Sequence, residues 1–243
     1  MKALEVQDVS HSFGKLKALD HVSLSVEEGQ FTALLGINGA GKSTLFSLIT
    51  RLYDNITGTV RVAEYDVRRQ PGPALARLGI VFQTRSLDRD LTVRQNLFYH
   101  AALHGMTRAM TRTRTEEMID RVGLNDKLDA KVSTLSGGQS RRAEIARSLM
   151  HKPRLLLLDE ATVGLDVKSR LEVTTLVRDL IVEDGVAALW ATHLLDELRP
   201  QDTVAILHQG RILKTGLTSD IAGKDKLETA FLSLTGATQE AQI

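Results

Sequence analysis

The chain has no cysteine among its 243 residues. That excludes disulfides and thiolate metal sites and suits a reducing compartment. Aromatic residues are few, 4% of the chain, so aliphatic side chains must fill the core. Neither sign of charge is in excess. Lys and Arg number 31 against 30 Asp and Glu, which leaves no whole-chain field to draw in nucleic acid or anionic lipid. Long apolar runs are missing too. Aliphatic stretches reach only the length of the leucines at 155–158, against roughly twenty residues for a bilayer span, so work at a membrane would need another chain to cross it. The opening MKALEVQD lacks the apolar segment of a secretory signal.

What is present is patterned for one folded unit. Hydrophobic residues make up 42% and charged residues 25%, and the length is at the upper end for one domain, so a single domain with an insertion is expected. Residues 4–13 and 21–26 alternate, with Val22, Leu24 and Val26 on one side and Ser23 and Ser25 on the other, as in half-exposed antiparallel strands. Residues 31–35, FTALL, are nearly all apolar, as in a strand buried on both faces. Further strands are expected at 59–62, 78–82, 155–159, 186–191, 203–207 and 211–214, with helical stretches between them. That alternation implies an α/β fold with a mainly parallel sheet covered on both faces. No strand pattern occurs over 84–150. There Thr92 followed by Gln95 reads as a capping box opening a helix through His104, and helical patterns return at 111–122 and 136–150. The tail GATQEAQI is expected to fray.

Chemistry concentrates in a few short segments. GINGAGKST at 36–44 follows the apolar strand and precedes Leu45, Phe46, Leu48, Ile49 and Leu52 at helical spacing, which is the setting a phosphate loop requires. Gly36, Gly39 and Gly41 let backbone N–H groups face phosphate oxygens, and the following helix presents its positive end to the anion. Lys42 is expected to reach the β- and γ-phosphates and the Ser43 hydroxyl to ligate Mg²⁺. LLLLDE at 155–160 places Asp159 and Glu160 at the carboxyl edge of the sheet, the first to hold Mg²⁺ and the second to act as general base toward water. Gln83 and His193 also follow predicted strands and fall along the same edge. A second glycine-bearing segment, LSGGQ at 135–139, opens a helix of its own: Ser136 can cap it and Gly137 and Gly138 permit close approach of an anion.

In this order these pieces resemble the nucleotide-binding subunits of ATP-binding cassette (ABC) transporters over nearly the whole chain. There GINGAGKST is the Walker A motif, Gln83 the Q-loop glutamine, LSGGQ the signature, LLLLDE Walker B, Gly164-Leu165-Asp166 the end of the D-loop and His193 the switch histidine. LSGGQ is the most specific piece, expected by chance in well under about one chain in a thousand. The resemblance implies a P-loop NTPase with a mainly parallel RecA-like sheet, an N-terminal antiparallel β subdomain and an inserted helical subdomain. The division is one nucleotide-binding domain over 1–243: an α/β core at 1–83 and 151–220, the helical subdomain at 84–150 and a tail at 221–243. It implies ATP and Mg²⁺ as cofactors and ATP hydrolysis by Glu160, His193, Lys42 and Gln83. Metal contacts would come from Ser43, Gln83 and Asp159. Nucleotide contacts would come from Phe13 under the adenine and from Gly36, Ile37, Asn38, Gly39, Ala40, Gly41, Lys42, Ser43 and Thr44. Ser136, Gly137, Gly138, Gln139 and Asp166 would act across a head-to-tail dimer, each ATP lying between Walker A of one subunit and the signature of the other.

The implied partners are a second subunit, most simply an identical copy, and a separate integral membrane permease that holds the chain at the cytoplasmic face of the cell membrane. No nucleic acid is expected. Asn38 and SLDRDLTVRQNL look most like ATPases of exporters with a separate permease, and within these the chain resembles the subunit associated with quinoprotein (PQQ-dependent) alcohol oxidation. The competing reading is a soluble ABC ATPase acting on nucleic acid or the ribosome, whose coiled coils, zinc cysteines or paired cassettes are not visible in this sequence. Leu87 and Leu91 are candidates for permease contact or for core. Arg141 and Arg142 read as a solvated basic face or as phosphate contacts, and Arg108, Arg112 and Arg114 as a solvated face. One departure stands out: Val163 occupies a D-loop position where the family commonly has serine, and it cannot donate that hydrogen bond.

Overall fold

The structure, a computed structural model, describes residues 1–54 and 57–236, so the expected frayed end beyond Gly236 lies outside the described residues. The chain starts with two long strands, β1 (Lys2–Phe13) and β2 (Leu16–Glu27), paired antiparallel, and β1 also pairs antiparallel with β4 (Thr57–Val62), which continues into the short β5 (Tyr65–Asp66). These four form one sheet in the order β2-β1-β4-β5. The 59–62 strand therefore belongs to this antiparallel sheet and not to the parallel one. β2 also begins five residues before the alternating stretch at 21–26. Its register to β1 shifts between Val22 and Leu19, and His21 sits there with φ 52°, a bulge that breaks the period-two pattern.

The second sheet has six strands in the order β10 (Arg211–Leu217), β9 (Thr203–His208), β3 (Phe31–Leu35), β8 (Ala187–Thr192), β7 (Leu155–Asp159) and β6 (Leu78–Val81). All its pairings are parallel except β10 with β9. Strands β3, β7 and β8 are buried along their whole length because both faces are covered. Leu156, Leu158 and Trp190 face one core with the helices of the insertion, while Leu155, Leu157 and Leu189 face another shared with β1, β2 and α1 (Lys42–Ile49). Each buried leucine contributes about 2 kcal/mol, so the sheet is pinned from both sides.

Between β6 and β7 the chain is helical: α3 (Val93–Leu103), α4 (Arg108–Arg121) and α5 (Gly137–Leu149). The capping box at Thr92 and Gln95 is present, with both reciprocal hydrogen bonds. A short α2 (Pro71–Leu75) precedes β6, α6 (Val167–Asp184) joins β7 to β8, and α7 (Thr218–Ala222) and α8 (Leu227–Thr235) follow β10. No helix among the described residues is long and apolar enough to cross a membrane. Leu87 is buried in the core and Leu91 half-buried, so neither is an exposed contact residue; Tyr99 and Leu103 on α3 and Met110 on α4 are exposed apolar side chains of this region. Arg114 also departs from expectation. It turns inward, donating to the Leu149 carbonyl at 3.1 Å, because the end of α5 offers it an acceptor.

Candidate functional site

The phosphate loop lies where β3 gives way to α1. Gly41, just before the helix, has φ 112°, and a Cβ there would come within 2.8 Å of the Ala18 carbonyl, so only glycine fits. No side chain caps this helix, which leaves its first N–H groups free for an anion. Lys42 folds back over the loop. Its ammonium donates to Gly36 O at 2.6 Å and Ile37 O at 3.3 Å and lies 3.3 Å from a Glu160 oxygen.

Glu160 is the point on which the site converges. It follows the last residue of β7 with φ 46°, and its own N–H donates to Ala191 O of β8, which holds it to the sheet edge. Gln83 Nε2 donates to one of its oxygens at 3.1 Å, while His193 Nδ1 lies 3.3 Å from the other. The structure thus gathers Lys42, Gln83 and His193 around the carboxyl group of Glu160. Asp159 sits beside it, and one of its oxygens is buried with no hydrogen-bond partner among the described residues. Burial, then the neighbouring Glu160, pushes its carboxyl above the usual range, with Lys42, Ser43 and Arg141 pulling the other way. A buried, unsatisfied oxygen next to the Ser43 hydroxyl fits a hard divalent cation such as Mg²⁺.

A cleft of about 810 Å³ spans this edge, lined by Phe13, residues 37–44, Gln83, Glu160 and His193. That is the volume range of a small-molecule site. Phe13 is 46% exposed at its rim, held edge-on by His11 and Tyr53 at ring distances of 4.7 and 5.5 Å. His11 and Tyr53, with the cleft residues Lys17, Gln209 and Gly210, carry no signal in the sequence. Nothing marks them, because their roles depend on neighbours the fold supplies: His11 and Tyr53 meet Phe13, and Gly210 N–H donates to Ala40 O of the loop.

The LSGGQ segment stands elsewhere. Ser136 caps α5, its Oγ accepting from Gln139 N–H, and Gln139 Oε1 accepts in turn from Ser136 N–H at 2.9 Å, so Gln139 is engaged within its own helix. None of residues 135–139 lines the cleft. Asp166 is likewise used locally, as the cap of α6, accepting from Ser169 N–H and Oγ–H at 2.9 and 2.7 Å, and those bonds hold its carboxyl below the usual range.

Signature helix and cleft are nevertheless wired together. Arg141, expected on a solvated face or at phosphate, is 1% exposed. Its guanidinium donates to Phe82 O at 2.6 Å, to Gln83 O at 3.0 Å and to Glu144 at 2.8 Å. Glu144 accepts from Ser86 N at 2.6 Å, and Arg85 reaches across to Gly137 O at 2.8 Å. The backbone around Gln83 is therefore gripped by the helix that LSGGQ opens. A second buried network backs His193. Glu197 accepts from Trp190 Nε1 at 3.0 Å and Thr192 Oγ at 2.7 Å and bonds Thr162, fixing the end of β8 against the turn after Glu160.

Comparison with known proteins gives a consistent picture. The profile of the ABC transporter family matches residues 19–163. The linearmycin resistance ATP-binding protein LnrL of Bacillus subtilis is 33% identical over 91% of this chain and 71% of its own length. The daunorubicin/doxorubicin resistance ATP-binding protein DrrA of Streptomyces peucetius is 37% identical over 90% of this chain and 67% of its own. A methionine import ATP-binding protein, MetN 2 of Rhodococcus jostii, is 38% identical over 85% and 62%. Among solved structures, an ATP-binding subunit of an ABC transporter superposes with TM-score 0.85 at 26% identity over 96% of this chain and 99% of that one. The ADP conformation of MJ1267, an ATP-binding cassette of an ABC transporter, superposes with TM-score 0.82 at 26% identity over 96% and 99%.

Proposed function

The chain belongs to the ABC transporter family as an ATP-hydrolysing subunit, and on that premise we propose that two copies close head to tail over two ATP molecules and drive a separate membrane permease in the direction of export. The observation that carries this reading is the separation of LSGGQ from the cleft. Each cleft gathers the phosphate loop, Gln83, Glu160 and His193 but has no wall from residues 135–139, and a second copy can supply it. Ser136, Gly137 and Gly138 would then offer helix-end N–H groups to the γ-phosphate of the partner's nucleotide.

Within one copy the roles follow from position. Phosphate oxygens replace Gly36 O and Ile37 O as acceptors for Lys42. Ser43 and Asp159, with Gln83 alongside, would hold Mg²⁺, which would supply positive charge to the phosphates. Glu160 accepts a proton from the attacking water, and His193, 3.3 Å from the same carboxyl group, orients water and γ-phosphate. Residues 84–150, taken as a helical subdomain on the 1–83 and 151–220 core, pass the change at Gln83 toward the permease through Arg141 and Glu144. The export direction is supported by the resistance ATPases among the relatives, while the import ATPase among them leaves the permease to set direction and cargo. Recovery of a permease with the chain from membranes, and not of ribosomes or nucleic acid, is the expected result.

Phe13→Ala is expected to weaken nucleotide binding about tenfold through loss of stacking, read with a fluorescent ATP analogue. An unchanged Kd would confine Phe13 to its contacts with His11 and Tyr53. The trans arrangement is tested by mixing two inactive variants. Lys42→Ala removes the phosphate contact, and Gly137→Asp sets a carboxylate against the partner's γ-phosphate and should cut turnover about a hundredfold. A Cβ at Gly137 makes only ordinary contacts, with Leu165 and Arg85 at 3.4 and 3.5 Å. Half of the mixed dimers would pair unlike copies with one intact site each, so mixing should restore up to about a quarter of normal activity. A mixture as inactive as its components would contradict a site shared between chains.

A further inference from the structure

Three histidines that the ATPase reaction does not use come together at the far end of α3. His100 lies in its last turn, His104 follows at its C-cap one turn on, and His151 lies on the turn between α5 and β7. One nitrogen from each falls within 4.8 Å of the others, the one such cluster of ligand-type side chains among the described residues. The rings of His104 and His151 stack at 3.7 Å, and His100 sits 4.6 and 5.4 Å from them. This is the opposite end of β6 from Gln83, since His151 meets Leu78, the first residue of that strand.

We propose that His100, His104 and His151 form a binding site for a divalent transition metal of the zinc class. Two buried ring nitrogens carry the inference. His151 Nε2 donates to Leu78 O at 3.1 Å, which fixes the proton there and leaves Nδ1 as a bare acceptor; that Nδ1 is buried with no hydrogen-bond partner among the described residues. An imidazole tied through its outer nitrogen to a backbone carbonyl, with the inner one free, is the arrangement metal-binding histidines use. His100 Nε2 is also buried and without such a partner. Unsatisfied buried nitrogens are costly unless something accepts them, and a metal ion does so for both. The pair at i and i+4 on one helix face supplies two ligands by geometry alone.

The setting suits this class of ion. Burial, with the neighbouring imidazoles, drives His100 down to about 3 and His151 to about 4, so both rings are neutral and able to ligate at ordinary pH. Arg147 and Arg114 face the cluster, but each is held elsewhere: Arg147 by Ser86 O at 2.8 Å and Arg114 by Glu117 and Leu149 O. His104 and His151 line a cavity of about 610 Å³ together with Met106, Met110 and Met150, from which a water can complete the coordination. Metal–nitrogen bonds of about 2.1 Å require the nitrogens to draw together by about 1 Å, chiefly by turning His104 out of its stack. The bound ion would staple α3 to the α5–β7 turn and the start of β6.

Titration of the nucleotide-free chain with Co²⁺, read by visible absorption, tests the site, with Zn²⁺ competition giving its affinity. One equivalent should produce the intense bands of a four-coordinate ion, distinct from the weak bands of an octahedral ion at Ser43 and Asp159. Zn²⁺ at about a hundredfold excess over Kd should raise Tm by about 5–10 °C. His104→Gln, the change least able to disturb folding, should lower affinity at least about tenfold and cut the Tm shift at the same Zn²⁺ by about half or more. His21→Gln, on β2, should leave both intact. Absence of the intense bands, or equal affinity in His104→Gln, would overturn the proposal and leave the trio as a stack of neutral imidazoles.

Discussion

Glu160→Gln is expected to cut ATP turnover by about a thousandfold, the middle of the range for a positioned general base, with nucleotide affinity nearly unchanged. Glutamine has the same shape and can keep a contact with Lys42, but it cannot take up the proton of the attacking water. Backbone effects should be small, because φ 46° is equally uncommon for Glu and Gln and the N–H bond to Ala191 O does not involve the side chain. Single-turnover release of ADP separates the outcomes. Slow release with full ATP occupancy assigns proton acceptance to Glu160, and release at the normal rate moves it to another group along the strand edge.

Arg141→Met should cost about 3–5 kcal/mol of stability, since it removes one partner of a buried ion pair and leaves Glu144 without its closest cation. The carbonyls of Phe82 and Gln83 lose their donors at the same time. Tm should fall by about 10 °C in a thermal melt, and Glu144→Gln added to Arg141→Met should restore part of the loss by removing the stranded charge. Turnover at a temperature where the variant is folded should fall as well, because Gln83 is then free of α5. A Tm within about 2 °C of the parent would place Arg141 among solvated charges after all.

How much of the fold and site is legible in the chain depends on whether a residue's role is set locally. The phosphate loop, Asp159, Glu160, Gln83 and His193 are legible because strand ends of a parallel sheet converge on one edge, and few residue types can meet phosphate, metal or water there. Asp166 has a local role as well, since with Ser169 three residues on it caps a helix, whatever it meets across a dimer. Arg141 is not legible. It follows LSGGQ in a run of polar residues, and besides Glu144 its acceptors lie 59 and 58 positions away. Glu197 is hidden for the same reason, since Trp190, Thr192 and Thr162 meet it only after β7 and β8 align. The start of β2 is masked by a bulge, and the 59–62 strand looks like a parallel strand because pairing partners are not written in hydrophobic pattern.

Light scattering of Glu160→Gln with and without ATP tests most directly whether the signature of one copy closes the site of another. Without nucleotide the variant should run at the 26.7 kDa of a single chain; with ATP and Mg²⁺ it should double, and adding Gly137→Asp should return it to one chain with ATP still bound. A single-chain mass in ATP, or a dimer that persists unchanged through Gly137→Asp, would contradict it.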